Sequence, residues 1–262
     1  MKVIRFRLKN ERNKVRVGVV SGKKIIEFRG SIFKLKEETG NEFHLNDIEF
    51  LPPLKPRKIV CMGFNYKKHM EELSKLSTNK PTITLKSQNT VIGHREKIVL
   101  PSISTRVEHE AELGIIIGKP GYKIKQEKAN EHIFGYTIVN DVTARDLEYE
   151  LKQWSPAKSF PTFCPIGPWI DTSLDASNLS IRCWVNSELR QDANTSEMIY
   201  KAEKCVSFVS SFMKLEKGDL IATGTPAGVG VLKAGDWVRI EISNLGILEN
   251  PVTKENENNS GY

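Results

Sequence analysis

Three glutamates stand at alternate positions in residues 107–118, VEHEAELGIIIG: Glu108, Glu110 and Glu112, interleaved with His109 and Ala111. The run then turns apolar through Leu113, Ile115, Ile116 and Ile117, which predicts a strand. On a strand, residues two apart share a face, so Glu110 and Glu112 stand roughly 7 Å apart at their bases, given a rise of about 3.3 Å per residue. Their carboxylates can converge, and converging carboxylates are relieved by a bound proton or by a bound cation. Hard divalent ions such as Mg2+ favour such oxygens. The plain alternative is the solvent face of a half-buried sheet. A further acid argues for a site: residues 134–146, FGYTIVNDVTARD, form an apolar run ending on Asp141, with Thr143 placed to cap a following helix.

Other residues could do chemistry beside these acids. In KIVCMGFNYKKHMEEL, His69 and Glu72 are three apart and share a face if the segment is helical. The carboxylate would then orient the imidazole and raise its basicity, as a general base requires. Lys158 is the lone lysine of the apolar, proline-rich run SPAKSFPTFCPIGPWI. It either snorkels to the surface or neutralises an anion. Residues 224–230, GTPAGVG, form a glycine-rich loop after a strand, with no G-K-[ST] and no G-x-G-x-x-G opening a helix. Its backbone N–H groups and the Thr225 hydroxyl could approach a carboxylate or oxyanion, unless the loop is only a tight turn.

The elements that must position these groups are mostly strands. Residues 1–52 carry the β-like runs VIRFRL, VRVGVV and KKIIEF, with SGKK as a turn, and so predict a small β-containing N-terminal domain over residues 1–54. The segment LPPLKPRK reads as a linker, because proline continues neither helix nor sheet ladder. A second domain over residues 55–252 shows strand-like runs at LSIRCWVN, DLIATG, DWVRIEI and GILENPV. Helix is expected over VTARDLEYELKQW and around SEMIYKAEKCVSFVSSFMKL, and residues 253–262 read as a polar tail. Residues 67–80 end in the polar, turn-rich SKLSTNK, as a lid would.

At 262 residues and 39% hydrophobic content the chain can bury a substantial core. No stretch has the length of a signal peptide's apolar region or a membrane helix, so a cytoplasmic protein without a membrane partner is expected. The net charge of +7 and pI near 9.1 raise nucleic acid as a partner, but the basic residues are scattered among acids, which argues against it. The excess could steer a small anionic substrate. Cys61, Cys164, Cys183 and Cys205 are far apart, without a C-x-x-C pair, and read as buried thiols.

Taken in order, KIVCMGFNYKKHMEEL, EHEAELGIIIG, IVNDVTARDLE, AKSF, TFCPIGPWI, NTSEMIY and LIATGTPAGVG resemble the fumarylacetoacetate hydrolase superfamily from about residue 56 onward. The resemblance implies an α+β, β-rich fold, a mixed β-sandwich roll usually paired as a homodimer. It also implies a Mg2+ or Mn2+ site, with Glu110, Glu112 and Asp141 as ligands and Glu108 an acid that is not one. By the same match Lys158, His69 and Glu72 are catalytic, and Arg145, Gly224 and Thr225 contact substrate. Met62 stands where fumarylacetoacetate hydrolase itself has a fourth acidic ligand, which resembles the smaller acylpyruvase and oxaloacetate decarboxylase branch. Phe64 stands where some members of that branch carry a basic residue. The implied activity is metal-dependent C–C cleavage of a small 2-oxo acid, by hydrolysis of an acylpyruvate or decarboxylation of oxaloacetate. Alternatives are isomerisation of a 2-hydroxyhepta-2,4-diene-1,7-dioate-type substrate, and a non-catalytic metal- or ligand-binding protein.

Overall fold

The computed structural model describes residues 1–72 and 81–255. A twelve-stranded mixed sheet runs in the order Lys34–His44, Lys24–Ser31, Glu11–Ser21, Lys2–Leu8, Cys164–Asp171, Ile133–Asn140, Ala111–Ile117, Leu220–Ala222, Ile59–Gly63, Thr82–Lys86, with two short strands pairing off this path. A five-stranded sheet, Glu188–Asn194, Ser180–Val185, Trp237–Ile242, Gly246–Lys254, Ile98–Leu100, packs against its middle. Leu113, Ile115 and Ile138 from the large sheet meet Ile181, Ile240 and Leu248 from the smaller one. The opposite face of the large sheet is covered as well, where Val3, Ile116, Val139 and Ile170 share a second cluster. Burial on both faces is why residues 113–117 read as a continuous apolar run and not an alternating one.

The expected single strand over 107–118 is two strands that change sheet. Val107–His109 belongs to a three-stranded sheet with Thr143–Ala144 and Gly230–Val231, while Ala111–Ile117 enters the large sheet. Glu110 sits at the crossing, its N–H donating to Asn140 Oδ1 at 3.0 Å and its carbonyl accepting from Asp141 N at 2.9 Å. These bonds satisfy the backbone where the ladder breaks. The solvent-face alternative is overturned, since Glu108, Glu110 and Glu112 are all buried.

Other expectations also need correction. The helix expected over 142–154 is two short helices, Arg145–Leu151 and Trp154–Lys158, separated by Lys152 with φ 53°. Thr143 does not cap the first of them. It lies on a strand, and its Oγ1 donates to Asp141 O at 2.9 Å. The helical stretch after Asn194 is a 3-10 turn, Thr195–Glu197, followed by the helix Ala202–Phe212. The tail expected from residue 253 begins later, because Thr253 and Lys254 still pair with Val99 and Leu100. Of the lid expected over 67–80, residues 67–72 form the helix Lys67–Glu72, and 73–80 lie outside the described residues. The N-terminal strands join the large sheet, because Lys2 and Val3 pair with Asp171 and Ile170 across the proline-rich segment. All four cysteines are free and buried. Among the described residues no helix is long and apolar enough to cross a membrane.

Candidate active site

Glu110, Glu112 and Asp141 are brought together by two neighbouring antiparallel strands. Ala111 pairs with Asn140, which sets Glu110, at the strand's head, beside Asp141, at its neighbour's end. One oxygen from each of the three carboxylates lies within 4.8 Å of the others. They form the floor of a cavity of about 410 Å3, whose lining also holds His69, Arg145, Lys158 and Thr225.

Cations grip this floor from three sides. Lys158 Nζ, at the end of its short helix, lies 3.0 Å from Glu110 Oε2, 2.7 Å from Asp141 Oδ2 and 2.8 Å from Thr143 Oγ1. Lys86, at the end of the strand Thr82–Lys86, is buried and bonds the other Asp141 oxygen and Val142 O. Arg145 spreads its guanidinium over Glu108, Glu110 and Glu148, its Nε 2.8 Å from Glu108 Oε2. Arg106 takes the second Glu108 oxygen at 2.7 Å. Glu108 is thus a support for Arg145. Both lysine readings left open by the sequence are settled at Lys158: it is buried and paired with anions.

The acids answer differently to this setting. Burial works against ionisation of Asp141, but Lys158 and Lys86 outweigh it and hold its pKa far below the usual range. Burial is likewise outweighed at Glu110, by Lys158 and Arg145. Glu112 has no cation in direct contact with it among the described residues. Burial, then Asp141 and Glu110, push its pKa well above the ordinary carboxylate value, outweighing Lys158 and the contact to Gly224 N at 2.7 Å. Named together, five carboxylates (Glu108, Glu110, Glu112, Asp141, Glu148) face four cations (Lys86, Arg106, Arg145, Lys158). A divalent cation fits the donor set: three buried carboxylate oxygens are hard ligands, and one acid lacks the positive charge that its ionisation demands.

On the cavity wall, His69 Nδ1 lies 3.0 Å from Glu72 Oε2, and the other Glu72 oxygen accepts from Gly228 N at 3.1 Å. The sequence pair is therefore a real contact, and its carboxylate is tied down by the glycine-rich loop. That loop does bring N–H groups to carboxylates, one of the outcomes expected of it. Two of them, on Gly224 and Gly228, are already spent on Glu112 and Glu72. Phe64 stands in the left-handed region at φ 58°, its ring edge-on to Trp154 at 5.3 Å, and both line the cavity. Cys61 is in the lining too, but burial, followed by Asp141, raises its pKa well above that of an ordinary thiol, so it is not a ready nucleophile. Lys86, Glu148 and Gln191 were missed from the sequence; only the lysine left a signal there, a charge in an otherwise sheet-like run, TITLK.

Residues 58–253 match the family described as Fumarylacetoacetate (FAA) hydrolase C-terminal, and residues 1–53 match Rv2993c-like, N-terminal. The chain belongs to the fumarylacetoacetate hydrolase family. Its family relatives include an uncharacterized protein of Methanocaldococcus jannaschii, 47% identical over 88% of this chain and 94% of the relative. A mitochondrial oxaloacetate tautomerase of Xenopus laevis is 43% identical over 79% of this chain and 69% of its own length. Among solved structures, a 2-hydroxyhepta-2,4-diene-1,7-dioate isomerase from Mycobacterium marinum superposes with TM-score 0.90 at 36% identity, covering 98% of this chain and 100% of the other. A maleylpyruvate hydrolase from Sphingobium sp. SYK-6, in complex with manganese (II) ion and pyruvate, does so with TM-score 0.82 at 29% identity, covering 98% and 100%. The family fold expected from the sequence motifs is thus the fold observed.

Proposed function

We propose that this family member is a divalent-metal-dependent enzyme of small 2-oxo acids, whose central act is proton transfer beside the 2-oxo group, as in keto–enol isomerisation of an oxaloacetate-like substrate. The observation that carries this reading is a carboxylate-anchored histidine sharing one cavity with three gathered carboxylates and a buried lysine. Glu110, Glu112 and Asp141 would hold Mg2+ or Mn2+, which supplies electrophilic polarisation of the oxo group and a template for the substrate. The chain's own groups do the rest. With a dication present the five acids and four bases carry an excess positive charge, which draws in an anion. Lys158 stabilises negative charge developing on the substrate oxygen, as a fixed charge in a dry site does best. His69 has Nδ1 committed to Glu72, so Nε2 is the nitrogen left to take and return a proton. The tautomerase and isomerase relatives support this chemistry.

A second reading is C–C cleavage, as hydrolysis of an acylpyruvate or decarboxylation of oxaloacetate. The His69–Glu72 contact favours it, because the same pair can deprotonate water, and the maleylpyruvate hydrolase neighbour supports it. Both reactions generate an enolate within reach of Lys158. The test is to incubate the protein with oxaloacetate or an acylpyruvate and Mg2+ or Mn2+, following enol and keto forms by absorbance and products by NMR. Isomerisation keeps the carbon skeleton; cleavage releases pyruvate. His69→Ala is expected to lower the rate of whichever occurs by about 100- to 10,000-fold. Failure of the wild type to accelerate any of these reactions with either metal would sink both readings.

A further inference from the structure

Gln191, on the strand Glu188–Asn194, is fully buried between the metal-site strand and the glycine-rich loop. Its Oε1 lies 3.0 Å from Ala111 N and 3.2 Å from His109 Nδ1, and its Nε2 lies 2.8 Å from both Thr225 Oγ1 and Pro226 O. Two of these partners allow no choice: the Ala111 N–H only donates, and the Pro226 carbonyl only accepts. The amide therefore cannot be turned over, and Nε2 must be the donor to Thr225. A hydroxyl has one proton and two lone pairs, so once Oγ1 accepts from Gln191 its own proton is free for another acceptor. Among the described residues Thr225 Oγ1 donates to none, although it is 3% exposed and lines the cavity that holds the three acids.

We infer that Gln191 is a positioning residue that fixes the polarity of Thr225, taking up a lone pair so that the hydroxyl proton is the group left to offer to the cavity. The site then prefers a ligand oxygen that only accepts, a carboxylate or enolate oxygen, over a ligand hydroxyl or amide N–H at the same place. This rests on the reading that the cavity takes an anionic 2-oxo acid, and it adds the residue that sets hydrogen-bond direction there. Replacing Gln191 by glutamate keeps the shape and, at a pH high enough to ionise the new carboxyl, supplies only acceptors. The Thr225 proton then turns away from the cavity toward the new carboxylate, and a lone pair faces the ligand.

The experiment is a double-mutant cycle read by calorimetry of oxalate binding in the presence of Mg2+, with Mg2+ binding alone and thermal unfolding measured in parallel. Gln191→Glu and Thr225→Val are each expected to weaken oxalate by about 10- to 100-fold, the usual worth of a hydrogen bond to a charged group. Thr225→Ser should stay near wild type, and Gln191→Met, which lets the hydroxyl rotate freely, should lose less than Gln191→Glu. In the Thr225→Val background, Gln191→Glu should cost nothing further, because no proton remains to be redirected. Equal losses in both backgrounds would show that Gln191 acts through packing and would overturn the inference. So would unchanged oxalate affinity in Gln191→Glu. If the wild type binds Mg2+ but not oxalate, the 2-oxo acid reading falls too, whereas additive losses with intact wild-type binding sink this inference alone.

Discussion

Glu112 differs from the two acids beside it in that its direct contact is a backbone N–H and not a lysine or arginine. Its raised pKa means that the folded, metal-free protein holds a proton that the unfolded chain releases. Such a group costs stability as pH rises above the ordinary carboxylate range, from about pH 4.5 upward. Glu112→Gln removes that cost together with a ligand. The expected outcome is a metal-free variant with a higher Tm than wild type at pH 7.5 and Mg2+ affinity reduced by about 100-fold or more, checked by calorimetry and thermal unfolding. An unaltered Tm with unaltered Mg2+ affinity would remove Glu112 from the metal site. The three clustered acids were legible in the sequence because E-x-E and a strand-terminal aspartate leave a clear trace. Lys86 was not. In TITLK the apolar Ile83 and Leu85 read as the inward face, yet Leu85 is 46% exposed and Lys86 is 4% exposed. The alternation is inverted by Asp141, whose buried charge calls for a lysine from a strand some fifty residues away in sequence.

At the scale of elements, the glycine-rich loop is held by contacts that no local pattern announces. Asn65, in the turn before His69, donates to Thr223 O at 2.6 Å and Tyr200 O at 2.9 Å, so the turn carrying the histidine and the loop carrying Thr225 are tied as one piece. Gly224 is where they touch: at φ 95°, a Cβ there would come within 2.9 Å of Met62 O and 2.7 Å of Asn65 Cβ. Gly224→Ala must bear both an unfavourable backbone region, about 1 kcal/mol or more, and a clash with main chain that cannot step aside. We expect a lower Tm and, because Gly224 N serves Glu112, weaker Mg2+ binding as well; a variant with wild-type values for both would show the loop to be loose. The sequence foretold a glycine loop whose N–H groups approach a carboxylate or oxyanion, but not which groups they would meet. The real targets, Glu112 and Glu72, are distant in sequence and became neighbours only through the sheet order. The division of residues 107–118 between two sheets was equally hidden, because alternation persists through Glu110 although the ladder does not.

Across the whole molecule the two sheets and the N-terminal strands meet around His94. Its ring packs edge-on to Phe50 at 4.8 Å, and its Nδ1 accepts from Glu249 N at 3.1 Å. Burial, followed by Arg95, lowers its pKa from 6.5 to about 4. The unfolded chain therefore takes up a proton below pH 6.5 that the folded protein refuses until about pH 4, so stability falls as the pH drops through that window. Between pH 7.5 and pH 5 the loss from His94 is about 2 kcal/mol. His109, lowered to about 4 chiefly by burial, has a drop of the same sign. Urea unfolding at the two pH values should show a smaller loss for His94→Gln than for wild type, even though the variant starts less stable; identical differences would mean that His94 is protonated in both states. The order of strands was the least legible feature of all. Each run of residues 1–52 could be read as β structure, but nothing in it says that Lys2–Leu8 inserts beside Cys164–Asp171.

That insertion bears on how the chain acquires its shape during synthesis. The first strand emerges from the ribosome with its hairpin partner Glu11–Ser21 close behind, while the strand on its other side lies some 170 positions further along. Closing so long a loop is slow, and until it closes the start of the first strand, Lys2 and Val3, carries an open, hydrogen-bond-hungry edge. The charges that fill the outermost strand, Lys34–His44, guard the far edge permanently. On the inner edge of Lys2–Leu8, Ile48–Phe50 covers residues 6–8 early, whereas Lys2 and Val3 stay unpaired until their late partner arrives. How long that short edge stays open is therefore set by translation speed over the middle third of the chain.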